Sequence, residues 1–178
     1  MNKILLVYYS RTGFTRRVAH EIAQKCQCDV EELMDVHDRS GICGYVRSLA
    51  EAFTKLRADY RSTAQHTRQY DLVVIGTPVW MWNLSSPIRS YIEQNRERFK
   101  AVAFFCTYGG SGAEGVLAEM EKLCGKKPRA TLHLRDDEIT GHRYLERLDA
   151  FVQQLRGSRA SVIEMKTRSA RARHRRSA

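Results

Sequence analysis

Three almost unbroken apolar runs, Ile4 to Tyr9, Tyr70 to Gly76 and Ala101 to Cys106, constrain the fold of this chain more than any other feature. A strand with one wet face alternates apolar and polar residues, whereas a run this continuous is buried on both faces, as in a parallel sheet covered by helices. The stretches between the runs carry helical spacing: Val18, Ile22 and Ala23; Val46, Leu49, Ala50, Phe53 and Leu56; Ile88, Tyr91 and Ile92. Val116, Leu117, Met120 and Leu123 continue the pattern, and Tyr144 to Leu155 forms a closing helix. Two shorter strands fit at Asp29 to Leu33, where Glu31 and Glu32 indicate an edge, and at Thr131 to Leu134. Five strands alternating with helices, joined by right-handed crossovers, predict an α/β fold: a three-layer, doubly wound, five-stranded parallel sheet.

Ser10-Arg11-Thr12-Gly13-Phe14-Thr15 follows the first run and precedes a helix. A helix start presents free backbone N–H groups and about half a positive charge, so an anion is stabilised there. Gly13 permits a tight turn and a close ligand, Ser10, Thr12 and Thr15 offer hydroxyls, and Arg11 offers a charge-assisted contact. The loop lacks the spacing and Lys of a P-loop and the three glycines of a dinucleotide turn. Its hydroxyls either hold a phosphate or cap the helix.

Two more loops follow strands and so share an edge with the first. Thr77-Pro78-Val79-Trp80-Met81-Trp82-Asn83 holds both tryptophans of the chain, and Thr107-Tyr108-Gly109-Gly110-Ser111-Gly112 sets a tyrosine beside glycines. Ligands of open α/β sheets lie outside the carboxyl ends of the strands. Aromatic side chains in loops suit a flat partner, and glycines let backbone amides approach its edge, so a phosphate bearing a planar ring fits all three loops. The ring-loop residues otherwise form local core and a plain turn.

With Ser10-x-Thr12-Gly13-x-Thr15 matching an [ST]-x-T-G-x-T phosphate loop, the chain resembles the flavodoxin-like family over roughly residues 3–156. The resemblance implies strand order 2-1-3-4-5 and an FMN cofactor. It implies phosphate contacts from Ser10, Arg11, Thr12, Gly13, Phe14 and Thr15. Ring contacts are implied from Pro78, Val79, Trp80, Met81, Trp82 and Asn83, and from Thr107, Tyr108, Gly109, Gly110 and Gly112. Phe14 stands where many members carry Asn, which removes a polar side chain but leaves the backbone donors. Short electron carriers of the family are acidic around the flavin, and this chain departs from them.

The formal net charge is +10, and residues 157–178 supply +6 of it, with seven cations against Glu164. Residues 1–156 are therefore expected to be the flavodoxin-like domain and 157–178 a basic, disordered tail. The tail is a solvated extension or, through its charge, a contact for nucleic acid or an anionic membrane surface. At 178 residues and 43% hydrophobic composition, one domain accounts for the chain. No apolar stretch approaches the roughly 20 residues of a membrane span, and Met1-Asn2-Lys3 enters a strand without a leader pattern, so a cytoplasmic protein is expected.

Five cysteines, Cys26, Cys28, Cys43, Cys106 and Cys124, suggest reduced thiols, and Cys26-x-Cys28 has poor metal-ligand spacing. The six histidines form no triad or ligand pattern, and Gly110-Ser111-Gly112 is too short for a nucleophile elbow. A Mg²⁺-binding receiver domain would need acids where Ser10 and Thr77 stand. Two function classes remain that transfer electrons through a flavin, beside a third possibility, a regulatory module that lost its flavin and uses the tail for binding. Either an oxidoreductase takes electrons from NAD(P)H or a reductase to a quinone-like acceptor, or a non-enzymatic carrier docks on a redox partner protein.

Overall fold

A computed structural model describes residues 3–35, 60–61 and 67–157. Its main sheet contains β1 (Ile4–Tyr8), β2 (Asp29–Glu32), β3 (Leu72–Trp80), β4 (Val102–Tyr108) and β5 (Thr131–Arg135). The strands are all parallel in the order β2-β1-β3-β4-β5, the expected doubly wound arrangement. The α-helices among the described residues are α1 (Phe14–Cys26), α2 (Ser86–Asn95), α3 (Ala113–Cys124), α4 (Asp136–Thr140) and α5 (Leu145–Arg156), with 3₁₀ turns at Thr67–Gln69 and Arg96–Arg98. The expected loop at 38–41, the helix at 42–56 and the tail lie outside the described residues. A two-residue antiparallel ladder joins Met34–Asp35 to Tyr60–Arg61.

Both faces of the sheet are covered, which is why the strands read as continuous apolar runs. Leu6, Val74, Phe105 and Leu132 pack against Val18, Ile22, Leu148 and Phe151 of α1 and α5. On β1, β3 and β4, Leu5, Val73, Val102 and Phe104 point the other way onto Ile88, Ile92, Val116 and Met120 of α2 and α3. Successive strand residues face opposite sides, so one run feeds two cores. At the centre Gly76 sits opposite Phe105 in register, and a Cβ there would lie 2.0 Å from the phenyl ring.

Several boundaries shift from the sequence expectation. The second apolar run extends as strand through Thr77, Pro78, Val79 and Trp80, rather than giving way to a loop after Gly76. The chain then reverses at Met81–Trp82 and pairs back antiparallel through Asn83–Leu84. Pro78 is tolerated because it is the last β3 residue paired with β4, where its missing N–H costs little. Thr107 and Tyr108 likewise end β4 instead of opening its loop. Ser85 stands at the N-cap of α2 with Pro87 in the first turn, and its hydroxyl, 2.9 Å from Thr77 Oγ1, ties the helix start to β3 instead of capping the helix. Helix α4 was not anticipated. Its five residues bury a single apolar side chain, Ile139, too few to register as periodicity.

Candidate functional site

Gly13 caps α1 at φ +95°, a conformation that favours glycine, and no side chain caps this helix. The helix-capping alternative for the Ser/Thr hydroxyls therefore fails. Thr15 turns its hydroxyl into the protein, 2.8 Å from Thr107 Oγ1, while Thr12 is exposed. Ser10 Oγ is buried and has no hydrogen-bond partner. An orphaned hydroxyl costs free energy unless something satisfies it, and here it lies just before a helix start with open N–H groups. The space beside Gly13 is empty to 4 Å. These residues fit an anionic group.

The second loop is a hairpin whose two turn residues, Met81 (φ 46°) and Trp82 (φ 60°), both occupy the left-handed region. Paired positive φ values are those of the tightest β-hairpin turn, usually made with Asn or Gly. Asn83 Nδ2 donates to Met81 O at 2.7 Å and clamps the turn. The two tryptophans separate: Trp80 packs edge-on to Tyr9, centroids 5.4 Å apart, whereas Trp82 is 65% exposed. Trp82 reaches the third loop, where its indole N–H donates to Ser111 Oγ at 2.7 Å. Gly112, at φ +98°, accommodates it: a Cβ there would lie 2.7 Å from the indole. Gly112 also caps α3 without a side-chain bond, repeating the role of Gly13 at α1.

The three loops thus meet at one rim, the first and third through Thr15–Thr107, the second and third through Trp82–Ser111. Tyr108 reaches beyond its own loop. It shares a sheet face with His133 of β5, with its hydroxyl 3.5 Å from His133 Nδ1, and lines an open cleft of about 400 Å³ with Gly110, Ser111, Glu114 and Gly115. Arg11 and Phe14 are half-buried at the first loop.

Asp136, which sequence reasoning missed, also reaches the rim. Its carboxylate lies 3.4 Å from where a Cβ on Gly109 would stand, and burial, with a smaller contribution from Asp137, raises its pKa. Its position directly after β5 was the available signal, since every loop that follows a parallel strand shares this edge. Five arginines around the rim are held by acids: Arg16 by Glu32, Arg17 by Glu21, Arg135 and Arg143 both by Asp137, and Arg147 by Glu138.

The family model described as Flavodoxin matches residues 3–155. This chain belongs to the flavodoxin family. Among solved structures, a flavoprotein from Lactobacillus acidophilus NCFM in complex with FMN superposes with a TM-score of 0.65 at 21% identity, over 79% of this chain and 98% of that one. The apo-form of the flavoprotein from the same organism gives 0.61 at 22% identity over 79% and 96%. A flavodoxin from Streptococcus pneumoniae TIGR4 gives 0.54 at 13% identity over 87% and 98%. At these identities the likeness concerns the fold. Among the described residues, no helix of this flavodoxin is long and apolar enough to cross a membrane.

Proposed function

We propose that this flavodoxin binds FMN at the rim and transfers electrons through it, taking them from NAD(P)H or a reductase and passing them to a quinone-like acceptor. The observation that carries this reading is the buried, unpartnered Ser10 hydroxyl beside the uncapped start of α1. Family membership and the FMN-bound Lactobacillus acidophilus relative support the choice of cofactor.

In this reading the phosphate lies in the loop Ser10 to Thr15, held by Ser10 Oγ, Thr12 and the first N–H groups of α1. The ring lies between the Pro78–Asn83 hairpin and the Gly109–Gly112 segment. Bound flavin supplies the one- and two-electron chemistry that amino-acid side chains lack. The chain's own contribution is placement. The Asn83 clamp fixes the hairpin, the Ser111 bond fixes Trp82, and uncapped amides at α3 face the rim. The paired arginines keep the rim close to neutral, so the field that makes acidic carriers strongly reducing is weakened.

The exposed apolar tip Met81–Trp82 favours a second reading, in which the same flavin serves a carrier that docks on a partner protein through that tip. Reconstitution with FMN tests the site: Thr12→Ala and Trp80→Ala are expected to bind more weakly than the parent, and unchanged affinity in both removes the assignment. Anaerobic mixing with NADPH then separates the readings, since rapid bleaching marks the oxidoreductase and a stable yellow solution the carrier.

A further inference from the structure

We infer that the end of the sheet opposite the rim is a docking face for the phosphodiester backbone of a nucleic acid. In a parallel sheet every strand begins at that end, and the residues leading into the strands are Lys3 before β1, Lys100 before β4, and Lys126, Lys127 and Arg129 before β5. Helices running back from the rim also end there, bringing Lys25, Lys122 and Arg156. The helix dipole accounts for those last three, because cations stabilise helix carboxyl ends. It does not account for the strand-leading cations, nor for Arg68 ahead of β3.

The acids at or reaching this end, Asp29, Asp71, Glu93, Glu97, Glu121 and Asp149, are fewer than the cations, and three of them are occupied: Asp71 by Lys100, Glu97 by Arg96 and Asp149 by Lys25. Arg68, Lys126, Lys127 and Arg129 have no acidic partner among the described residues, and all but half-buried Lys126 are exposed. Five rim arginines are held by acids whereas these four cations are not, so the cations without an acidic partner gather at the end opposite the rim.

Continuity with the remaining sequence strengthens the assignment. Helix α5 ends at Arg156, whose guanidinium donates to Lys25 O at this same end, and the chain continues past Gly157 into residues 158–178. That segment adds Arg168, Arg171, Arg173, Arg175 and Arg176. Arginine forks onto phosphate oxygens and stacks on bases, which suits a nucleic acid. A lipid surface calls for several apolar side chains among the cations, and of the exposed large apolar residues Val30, Met34, Met81, Trp82 and Leu145 among the described residues only Val30, on the edge strand β2, is at this end. Strands of five to nine residues put the basic end roughly 15 Å or more from the rim, so a bound polyanion leaves the rim uncovered.

The inference is independent of the flavin assignment. Fluorescence anisotropy of the full chain, with and without FMN, against labelled single-stranded RNA, single-stranded DNA and duplex DNA tests it and identifies the form preferred. Equal affinity with and without FMN is expected. For about five neutralised phosphates, duplex affinity falls on the order of 500-fold between 50 and 200 mM salt. The full-length variant Lys126→Glu/Lys127→Glu/Arg129→Glu should bind at least ~30-fold more weakly, with a salt slope shallower by about three. Full-length Arg171→Gln/Arg173→Gln/Arg175→Gln/Arg176→Gln should weaken binding while leaving the triple reversal effective. An unchanged affinity in the triple reversal, salt-insensitive binding, or tighter association with phosphatidylserine vesicles than with any nucleic acid overturns the inference.

Discussion

The hydroxyls of Thr15 and Thr107 lie 2.8 Å apart inside the protein, one from the first turn of α1 and the other from the end of β4. Ninety-two residues separate them in the chain, and this contact fixes the first loop against the third. Thr15→Val or Thr107→Val leaves the remaining hydroxyl buried and unpaired, at a cost of about 1–3 kcal/mol. The double valine variant should lose less than the two single losses added together. Urea unfolding of the four proteins measures that coupling, and strict additivity would show the contact to be energetically idle.

Ser10→Ala separates stability from binding. Removing a buried hydroxyl that has no partner should leave the FMN-free protein as stable as before or slightly more so. FMN affinity should fall by about tenfold, the worth of one charge-assisted hydrogen bond. Flavin fluorescence quenching reads the affinity and thermal unfolding reads the stability. A loss of stability without loss of affinity would make Ser10 a structural residue.

Gly76→Ala tests the central packing. The added methyl falls 2.0 Å from the Phe105 ring, which is itself fully buried and enclosed, so a loss of about 2–3 kcal/mol is expected. Gly112→Ala acts differently: it forces a side chain onto backbone at φ +98°, and its methyl meets the Cα and the exposed indole of Trp82. Both variants should therefore lose stability on urea unfolding, and tryptophan fluorescence should report a displaced Trp82 in Gly112→Ala.

Alkaline pH should destabilise the fold. Tyr8, Tyr70 and Tyr144 are each pushed up to about 12, first by burial and then by donating to Glu32, Asp29 and Glu21 respectively. Such groups stay protonated in the folded chain while the unfolded chain ionises near pH 10. Their contribution is thus whole below pH 10 and is lost as pH climbs through about 12. Burial raises Cys28, Cys106 and Cys124 to about 12 as well, so the decline begins near pH 9. Unfolding midpoints across this range should fall less steeply in Tyr8→Phe/Tyr144→Phe than in the parent.

Asp136 offers a handle on the flavin. Replacing it with Asn removes a negative charge beside Gly109 and should raise the midpoint potential by about 30–60 mV, given 59 mV per tenfold change for one electron. Spectroelectrochemical titration of the two proteins decides this. An identical potential would place the carboxylate outside the electrostatic reach of the ring.

Much of this was legible in the sequence, for a local reason. Apolar runs and helical spacing record which face of each element is buried, so the two-sided sheet and its alternation with helices could be read directly. Gly13 and Gly112 mark helix starts because no other residue sits comfortably at φ values of +95° and +98°. The hairpin was not legible: Met81 and Trp82 are poor signals for a turn with both φ values positive, and only its pairing through Val79–Leu84 and Trp80–Asn83 holds it.

Residues 3–157 by themselves determined that strand-following loops share an edge, because a parallel sheet permits nothing else. Tertiary structure alone decided that Thr15 meets Thr107, that Trp82 rests on Gly112, that Asp136 joins the rim and that strand-leading cations gather at the far end. Each of these depends on strand order and register. Those quantities are set by the packing of distant segments, and no periodicity within one segment encodes them.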